Sequence, residues 1–381
     1  MANTIITPQL IANYVLKALL GSLVYRDLVY KAELSNQLVS AKAGETVNVK
    51  KPSKFKMKRF NGSLIHQNLN ETSVPVTLDI IGDITVPITS KEMTLKINDF
   101  NQQVLEPIGN GLAVGIDQYI SSKIYGAIPA TNVVTGTANP TDLKNFVDLG
   151  VKLDLSKAPK QGRVAVVSPT HKARYSLVAN LSNVSYAGDS ITLREALLGR
   201  VAGFQTLESS YNPVGTGGGT ATAVGEVVVA GTPNAKTLAL SGVTPATGTL
   251  KVGDLLIING QVVTVAEDAT ASAGAIASLS VIQTDVDDLP NGTYTHGTGG
   301  VEILVSTKDV TLAFSDIAFG LVNVPLELPI NNPQGAIASY NGISVRVFYG
   351  YNQNTKTQEL SVDTLFGFAS FYPEASAKIV G

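Results

Sequence analysis

"NDFNQQVLEPIGNGLAVGIDQYISSKIYG", residues 98–126, carries apolar side chains at Phe100, Val104, Ile108, Leu112, Ile116, Ile120 and Ile124. Recurrence at every fourth residue predicts a long helix, with Asn98 and Asp99 as caps at its start. Steps of four advance about 400° on a helix of period 3.6, so the stripe drifts by about 40° each time and different neighbours must cover it along its length. Pro107, Gly109 and Gly111 predict a kink or a broken first part. At 1.5 Å per residue the helix spans roughly 40 Å, longer than a small compact domain needs.

Upstream, from Glu45 to Met93, the pattern is that of strands. Thr46 to Lys51 alternates, Asn61-Gly62 is a hairpin-turn signal, and "VPVTLDIIGDITVPITS" (74–90) alternates around Gly82-Asp83. One leg of the hairpin is "KKPSKFKMKRF" (50–60), where six of the chain's 28 basic residues fall between Lys50 and Arg59. Period two puts Lys54, Lys56 and Lys58 on one face and Phe55, Met57 and Arg59 on the other, a basic ribbon that should project from a body. A nucleic-acid platform would want aromatics among the cations, and only Phe60 shares the lysine face. Contact with carboxylates of a protein partner uses the same charges without stacking and is the favoured reading. Further upstream, Thr7 and Pro8 start a helix with Leu10, Ile11, Tyr14, Val15, Ala18 and Leu19 on one face. The first 28 residues lack a basic leader, and Asn13 and Lys17 interrupt the apolar run, so neither a signal peptide nor a spanning helix is expected.

Downstream, residues 141–208 read as a mixed α/β unit. Helices are expected from Thr141-Asp142 to about Leu153, from Thr170 to Leu181 and from Ile191 to Leu198, with "RVAVVSP" and "VAGFQTLES" as strands. From Asn212 to Gly300 the composition changes. This segment has two lysines, no arginine and seven acids, a net charge of −5, and Tyr294 as its only aromatic. "TLKVGDLLIINGQVVTVAED" is a hairpin around Asn259-Gly260, and the other short alternating runs suggest a small β-barrel or sandwich inserted into a larger α+β body. "VEILVS", "GISVRVFYGY" and "TLFGFASFYPEASAKIV" then resume the apolar texture.

The 381 residues exceed the usual size of one core. The formal charge of −2 gives no global attraction to nucleic acid or anionic lipid. Absence of cysteine excludes disulfides, thiolate metal sites and cysteine nucleophiles. Only 15% of the residues are charged, a composition that extended protein interfaces would explain.

No HExxH, GxSxG or Walker motif occurs, and His66, His171 and His296 are far apart, so no catalytic residues, metal ligands or cofactor site are assigned. His171 beside Ser168 could be imagined as a base, yet it lacks a third partner and reads as a solvated residue in a helix's first turn. Gly215, Gly217, Gly218 and Gly219 have no following lysine and read as a linker rather than a phosphate loop. Asp285, Asp287 and Asp288 lack the downstream glutamate of a calcium loop and read as a solvated, acidic loop.

The order of parts resembles a known family. "MANTIITPQLIANYVLKALLGSLVYRDL" (1–28), the hairpin arm, "VPVTLDIIGDITVPITSKEMTLKINDFNQQVLEPIGNGLAVGIDQYI" (74–120) and "LKVGDLLIING" (250–260) resemble major capsid (coat) proteins of tailed bacteriophages, of the P-twenty-two-type branch. "TSKEMTLKINDF" (89–100) to "IDQYI" (116–120) is the most specific block. The resemblance implies an α+β fold of the Hong Kong 97 capsid type. Its parts would be an N-terminal arm (1–44), an extended loop (45–75), a peripheral domain (76–129) with a spine helix (98–127), and an axial domain (130–211 and 301–350). An inserted β domain (212–300) and a return to the peripheral domain (351–381) complete it. It implies self-assembly as pentamers and hexamers into an icosahedral procapsid and mature head. Scaffolding protein, portal protein and packaged double-stranded DNA, met non-specifically at the inner surface, are the implied partners, with no membrane and no cofactor. The virion capsid is then the location, and the host cytoplasm during assembly. Lys54, Lys56, Lys58, Arg59, Asn61 and Gly62 become a subunit-interface arm, and Asp285, Asp287 and Asp288 a loop between capsomers. The covalent lysine–asparagine joining of one branch of the fold is not carried over. The alternatives are an exported surface-layer or adhesin protein, against which the missing signal segment counts, and a hydrolase, for which no catalytic set was found.

Overall fold

The computed structural model describes residues 8–31, 46–50, 57, 73–78, 80–88, 101–136, 140, 142–182, 198–213, 219–221, 223–232, 235–252, 254–258, 261–283, 289–295, 301–304, 309–328, 335–352 and 357–381. The chain forms two compact units. Met1–Leu20, Tyr30–Asn110 and Phe319–Phe371 make the first, and Gly21–Val29, Gly111–Ala318 and Tyr372–Gly381 the second.

Helix α1 (Pro8–Ser22) has proline at its first position, where a missing N–H is no loss. It buries Ile11, Ala12, Val15, Leu16 and Leu19, while Leu10 and Tyr14 are exposed. The buried stripe is thus rotated from the expected one. The neighbour that sets it is helix α2 (Glu106–Ala127). A Cβ built on Gly109 of α2 would lie 2.7 Å from Ala18 Cβ and 2.8 Å from the Val15 carbonyl oxygen. Gly109 therefore serves close helix–helix approach, not the expected kink. The irregularity comes earlier, as a π-helical stretch at Asn101–Leu105, and Pro107 falls in the first turn of regular α-helix. The expected caps Asn98 and Asp99 lie outside the described residues. Burial on α2 widens as the stripe drifts. Ile108 and Leu112 are buried early, and Asp117, Tyr119, Ser121, Ser122 and Tyr125 join Ile116, Ile120 and Ile124 later.

The sheet of the first unit runs Tyr30–Lys31, Phe319–Val324, Thr357–Ser370, Ile343–Asn352, Gly335–Tyr340, with Ile80–Ile88 also paired to Thr357–Ser370. Gly82-Asp83 sits inside the continuous strand Ile80–Ile88, opposite Thr364 and Asp363. Thr46–Lys50 pairs antiparallel with Ser73–Thr77, from Thr46 opposite Thr77 to Lys50 opposite Ser73.

The second unit holds a six-stranded sheet in the order Val133–Thr135, Ser376–Val380, Val310–Ser315, Arg163–Val167, Phe204–Glu208, Arg200–Val201. Helices α3 (Lys144–Leu155) and α4 (Pro169–Ser176) cover one face, with Phe146, Leu149, Leu153 and Tyr175 packing on Ala165, Val167, Ala377 and Ile379. Lys378, between those two strand residues, points to the other face and sets its Nζ 3.4 Å from the centroid of the Tyr125 ring of α2. Both faces are thus covered. "VAGFQTLES" is a hairpin rather than one strand, because Ala202 (φ 48°) and Gly203 (φ 88°) turn the chain between Val201 and Phe204. The expected helix 191–198 lies outside the described residues but for Leu198.

Residues 221–294 enclose their own core of Val227, Val229, Leu238, Leu240, Leu256, Ile258, Val263, Ile276 and Leu279 among others. Seven strands run Gly292–Thr295, Glu226–Thr232, Ala235–Ser241, Ala275–Gln283, Gln261–Val265, Leu255–Ile258, Val301–Leu304, beside a two-stranded ribbon. Ile258 faces Gln261, the pairing that a two-residue turn at Asn259-Gly260 requires.

Two expected boundaries move. Val301–Leu304, read as the return to the axial part, pairs with Leu255–Ile258 of the seven-stranded body. Phe319–Phe371, most of it read as axial, belongs with Ile80–Ile88 in the first unit, and Tyr372–Gly381 returns to the second. Period-two alternation sets which way side chains face, not which strand lies alongside, so these segments looked alike in sequence.

Candidate functional site

Lys54, Lys56, Lys58, Arg59, Asn61 and Gly62 all lie outside the described residues, as do Asp285, Asp287 and Asp288. The paired strands at the base of the expected arm are described, with Thr46 opposite Thr77 and Lys50 opposite Ser73.

His171 is fully buried rather than solvated. Ser168 caps α4, its Oγ accepting the His171 backbone N–H at 3.2 Å, so the hydroxyl serves the helix end and not the imidazole. The ring places Nδ1 2.8 Å from Thr311 Oγ1, while its buried Nε2 has no partner among the described residues. Burial lowers its pKa from 6.5 to about 4, with Asp309 opposing and Arg174 assisting, so the imidazole is neutral. Asp309, itself buried, accepts from Thr170 Oγ1 at 2.5 Å and Arg174 at 2.6 Å. These bonds tie α4 to the strand Val310–Ser315; no Ser–His nucleophile pair is built.

A second polar cluster was not anticipated. Asp117, next to Ile116 of the apolar stripe of α2, is buried and accepts the backbone N–H groups of Val24 at 2.7 Å and Tyr25 at 3.1 Å. It thereby caps the short 3-10 turn Tyr25–Asp27. Burial raises its pKa to about 6 against those two hydrogen bonds. The buried Tyr25 hydroxyl donates to Asn212 Oδ1, and Asn212 Nδ2 donates to the carbonyls of Val166 at 2.9 Å and Val310 at 3.0 Å. Burial and then Asp117 push the Tyr25 pKa well above 10. The signal available in sequence was the lone acid in "VGIDQYI".

In the first unit Asp83 stands directly across from Asp363, and Ser361 Oγ lies 2.8 Å from a carboxyl oxygen of each. Like charges placed so repel. Burial and the bond to Asp363 raise the Asp83 pKa. For Asp363, burial is outweighed by bonds from Asp83, Arg346 and Ser361, and its pKa falls. Asp83 thus holds the proton longer, and Arg346 Nε, 3.0 Å away, neutralises Asp363.

Of the glycines read as a linker, Gly219 is described, and its N–H donates to the buried carboxylate of Asp254 at 3.1 Å. Among the described residues no group of three or more metal-ligating side chains comes together, and no helix is long and apolar enough to cross a membrane. The described polar clusters therefore cap helices and join elements, which is structural chemistry.

No protein-family model matches the chain. In sequence it is 24% identical over 430 positions to the major capsid protein of Acyrthosiphon pisum secondary endosymbiont phage 1, spanning 97% of this chain and 98% of that relative. In structure it is similar to a chain of Mycobacterium phage Che8, with a TM-score of 0.52 and 12% identity over 94% of this chain and 90% of that one. It is also similar to a chain in the capsid structure of the cyanophage P-SCSP1u, with a TM-score of 0.50 and 11% identity over 94% and 87%. Over nearly its whole length the chain resembles a tailed-phage major capsid protein, and its mixed architecture of helices and strands is the Hong Kong 97-type phage capsid fold.

Proposed function

We propose that this chain is the major capsid protein of a tailed double-stranded DNA phage, a structural protein and not an enzyme. The observation that carries this reading is co-extension: the similarity runs across 97% of this chain and 98% of a major capsid protein. Sparse charge and polar clusters devoted to capping agree with a protein whose work is done through interfaces.

In this reading pentamers and hexamers of the chain build an icosahedral procapsid in the host cytoplasm, with scaffolding protein and a portal, and the mature head holds the genome. The first unit then corresponds to the peripheral part, the second to the axial part with its inserted β body. The loop carrying Lys54, Lys56, Lys58 and Arg59 reaches carboxylates on a neighbouring subunit, with Asn61-Gly62 at its tip. Asp285, Asp287 and Asp288 act between capsomers.

The test is sedimentation followed by negative-stain electron microscopy of the chain expressed with and without its phage's scaffolding protein. Uniform closed shells are expected in at least one preparation; small monodisperse particles in both would overturn the reading. Charge reversal at Asp285, Asp287 and Asp288 is expected to lower particle yield or alter shape, and unchanged particles would remove that loop from the interface.

A further inference from the structure

We infer that the outer face of α3, formed by Val147, Val151 and Leu155, is a contact surface for a second copy of this chain in the assembled shell. The inference rests on the capsid reading above and names one surface through which copies meet.

Helix α3 has two apolar rows. Phe146, Leu149 and Leu153 form the inner one, each fully buried against the six-stranded sheet. Val147, Val151 and Leu155 form the outer one, 53%, 48% and 75% exposed. Single exposed aliphatics are ordinary, but three in line at steps of four, over roughly 12 Å of one helix face, make a row. Helix propensity does not explain it, since valine is a poorer helix former than alanine, lysine or glutamate, the residues suited to exposed positions.

The charged residues that α3 itself carries beside the row have partners within the chain. Lys144 Nζ pairs with Asp148 at 2.5 Å, Lys152 Nζ donates to the Thr131 carbonyl at 2.7 Å, and Arg163 holds Asp154 at 2.7 Å. The face therefore does not call for an oppositely charged partner such as nucleic acid or a basic tail. It offers a neutral strip with a self-satisfied polar rim.

Size decides the occupant. The three side chains present roughly 200 Å² of apolar surface, against about 800 Å² per partner in a standard stable interface. A strip that small cannot hold a free dimer. It suffices where the same contact recurs around a closed array and other surfaces of each copy are engaged at once.

The chain has no cysteine, so Leu155→Cys introduces a single thiol on this face. Maleimide labelling of that thiol is expected to be at least about tenfold slower in assembled shells than in unassembled subunits, the factor that about 1.4 kcal/mol of protection confers. Val151→Glu is expected to keep the wild-type circular dichroism and melting midpoint while shell yield falls at least about tenfold. Equal labelling in shells and subunits, or wild-type shell yield from a Val151→Glu, Leu155→Glu double variant, overturns the inference while leaving the capsid reading intact. Protection by added scaffolding protein but not by shell formation also overturns it, assigning the face to that partner. If the wild-type chain forms no shells under any condition, the capsid reading falls and this inference with it. Should Val151→Glu fail to fold, the conservative thiol variant still decides.

Discussion

In the six-stranded sheet of the second unit, Arg163–Val167, Val310–Ser315 and Ser376–Val380 are buried at every residue. In the seven-stranded body, Val227, Val229, Leu238 and Leu240 are buried while Val228, Ala230, Thr237 and Ser241 between and beside them are exposed. The first sheet has α3 and α4 on one face and Tyr125 of α2 on the other; the second gathers the inward residues of its strands on one core. One chain thus uses two solutions to strand burial, helical cover on both faces and self-cover on one. The core of residues 221–294 is self-contained, so damage there should stay there.

The largest expected effect tests that containment. Phe146→Ala, under the helical cover, should cost about 3–5 kcal/mol, and Leu238→Ala, in the β body, about 2–5 kcal/mol. Native-state hydrogen exchange separates them. Leu238→Ala is expected to speed exchange in Glu226–Ser241 and leave Arg163–Val167 protected; equal loss in both would show one cooperative core rather than two.

A smaller effect lies on the helix-covered side. Asp117, with a folded pKa of about 6 against 3.8, binds its proton more tightly in the folded chain, so its contribution to stability is lost as pH rises from about 4 to 6. His171, with a folded pKa of about 4 against 6.5, has the opposite sign: its contribution is present above 6.5 and lost as pH falls toward 4. Each is worth up to about 3 kcal/mol, at 1.36 kcal/mol per pKa unit. The two slopes oppose each other over pH 4–6. Asp117→Asn is therefore expected to make unfolding by urea steeply acid-sensitive in that range, and His171→Gln to make stability fall with rising pH. Parallel profiles for wild type and both variants would refute the assignment.

The smallest effect asks whether charge holds the helical cover in place. Lys172 of α4 meets Glu208 of the sheet at 2.6 Å, with side-chain exposures of 19% and 40%. Lys172→Ala should lower stability by under about 1 kcal/mol, and less in high salt. A loss comparable with that of Phe146→Ala would mean that the helix is docked electrostatically.

What could be read in advance followed local periodicity. Fully apolar "RVAVVSP" was legible as a buried strand, and the fourfold spacing of Ile108 to Ile124 as a long helix, because burial on one stripe or two faces writes itself into consecutive residues. Partnership across the chain does not. Val301–Leu304 and Phe319–Val324 have similar texture, yet one joins the β body and the other the first unit. The role of Gly109 was equally hidden, since a glycine for close approach and one for a kink are the same letter. Asp117 and His171 are isolated polar letters in the sequence, and their partners, the backbone N–H groups of Val24 and Tyr25 for the one and the Thr311 hydroxyl for the other, come from segments about 90 and 140 residues away.

The strand Thr357–Ser370 carries a mechanical consequence. It pairs with three others, and because Leu365 and Phe366 are bonded to Ile81 and Ile80 as well as to Val324 and Asn323, Ile80–Ile88 must take one edge while Phe319–Val324 and Ile343–Asn352 share the other end to end. Pulled along its length, such a strand loads both rows of hydrogen bonds in shear, so they must give together and cannot unzip singly. Under outward pressure on a container wall it would act as a tie rod, splicing two shorter members into one tension-bearing line.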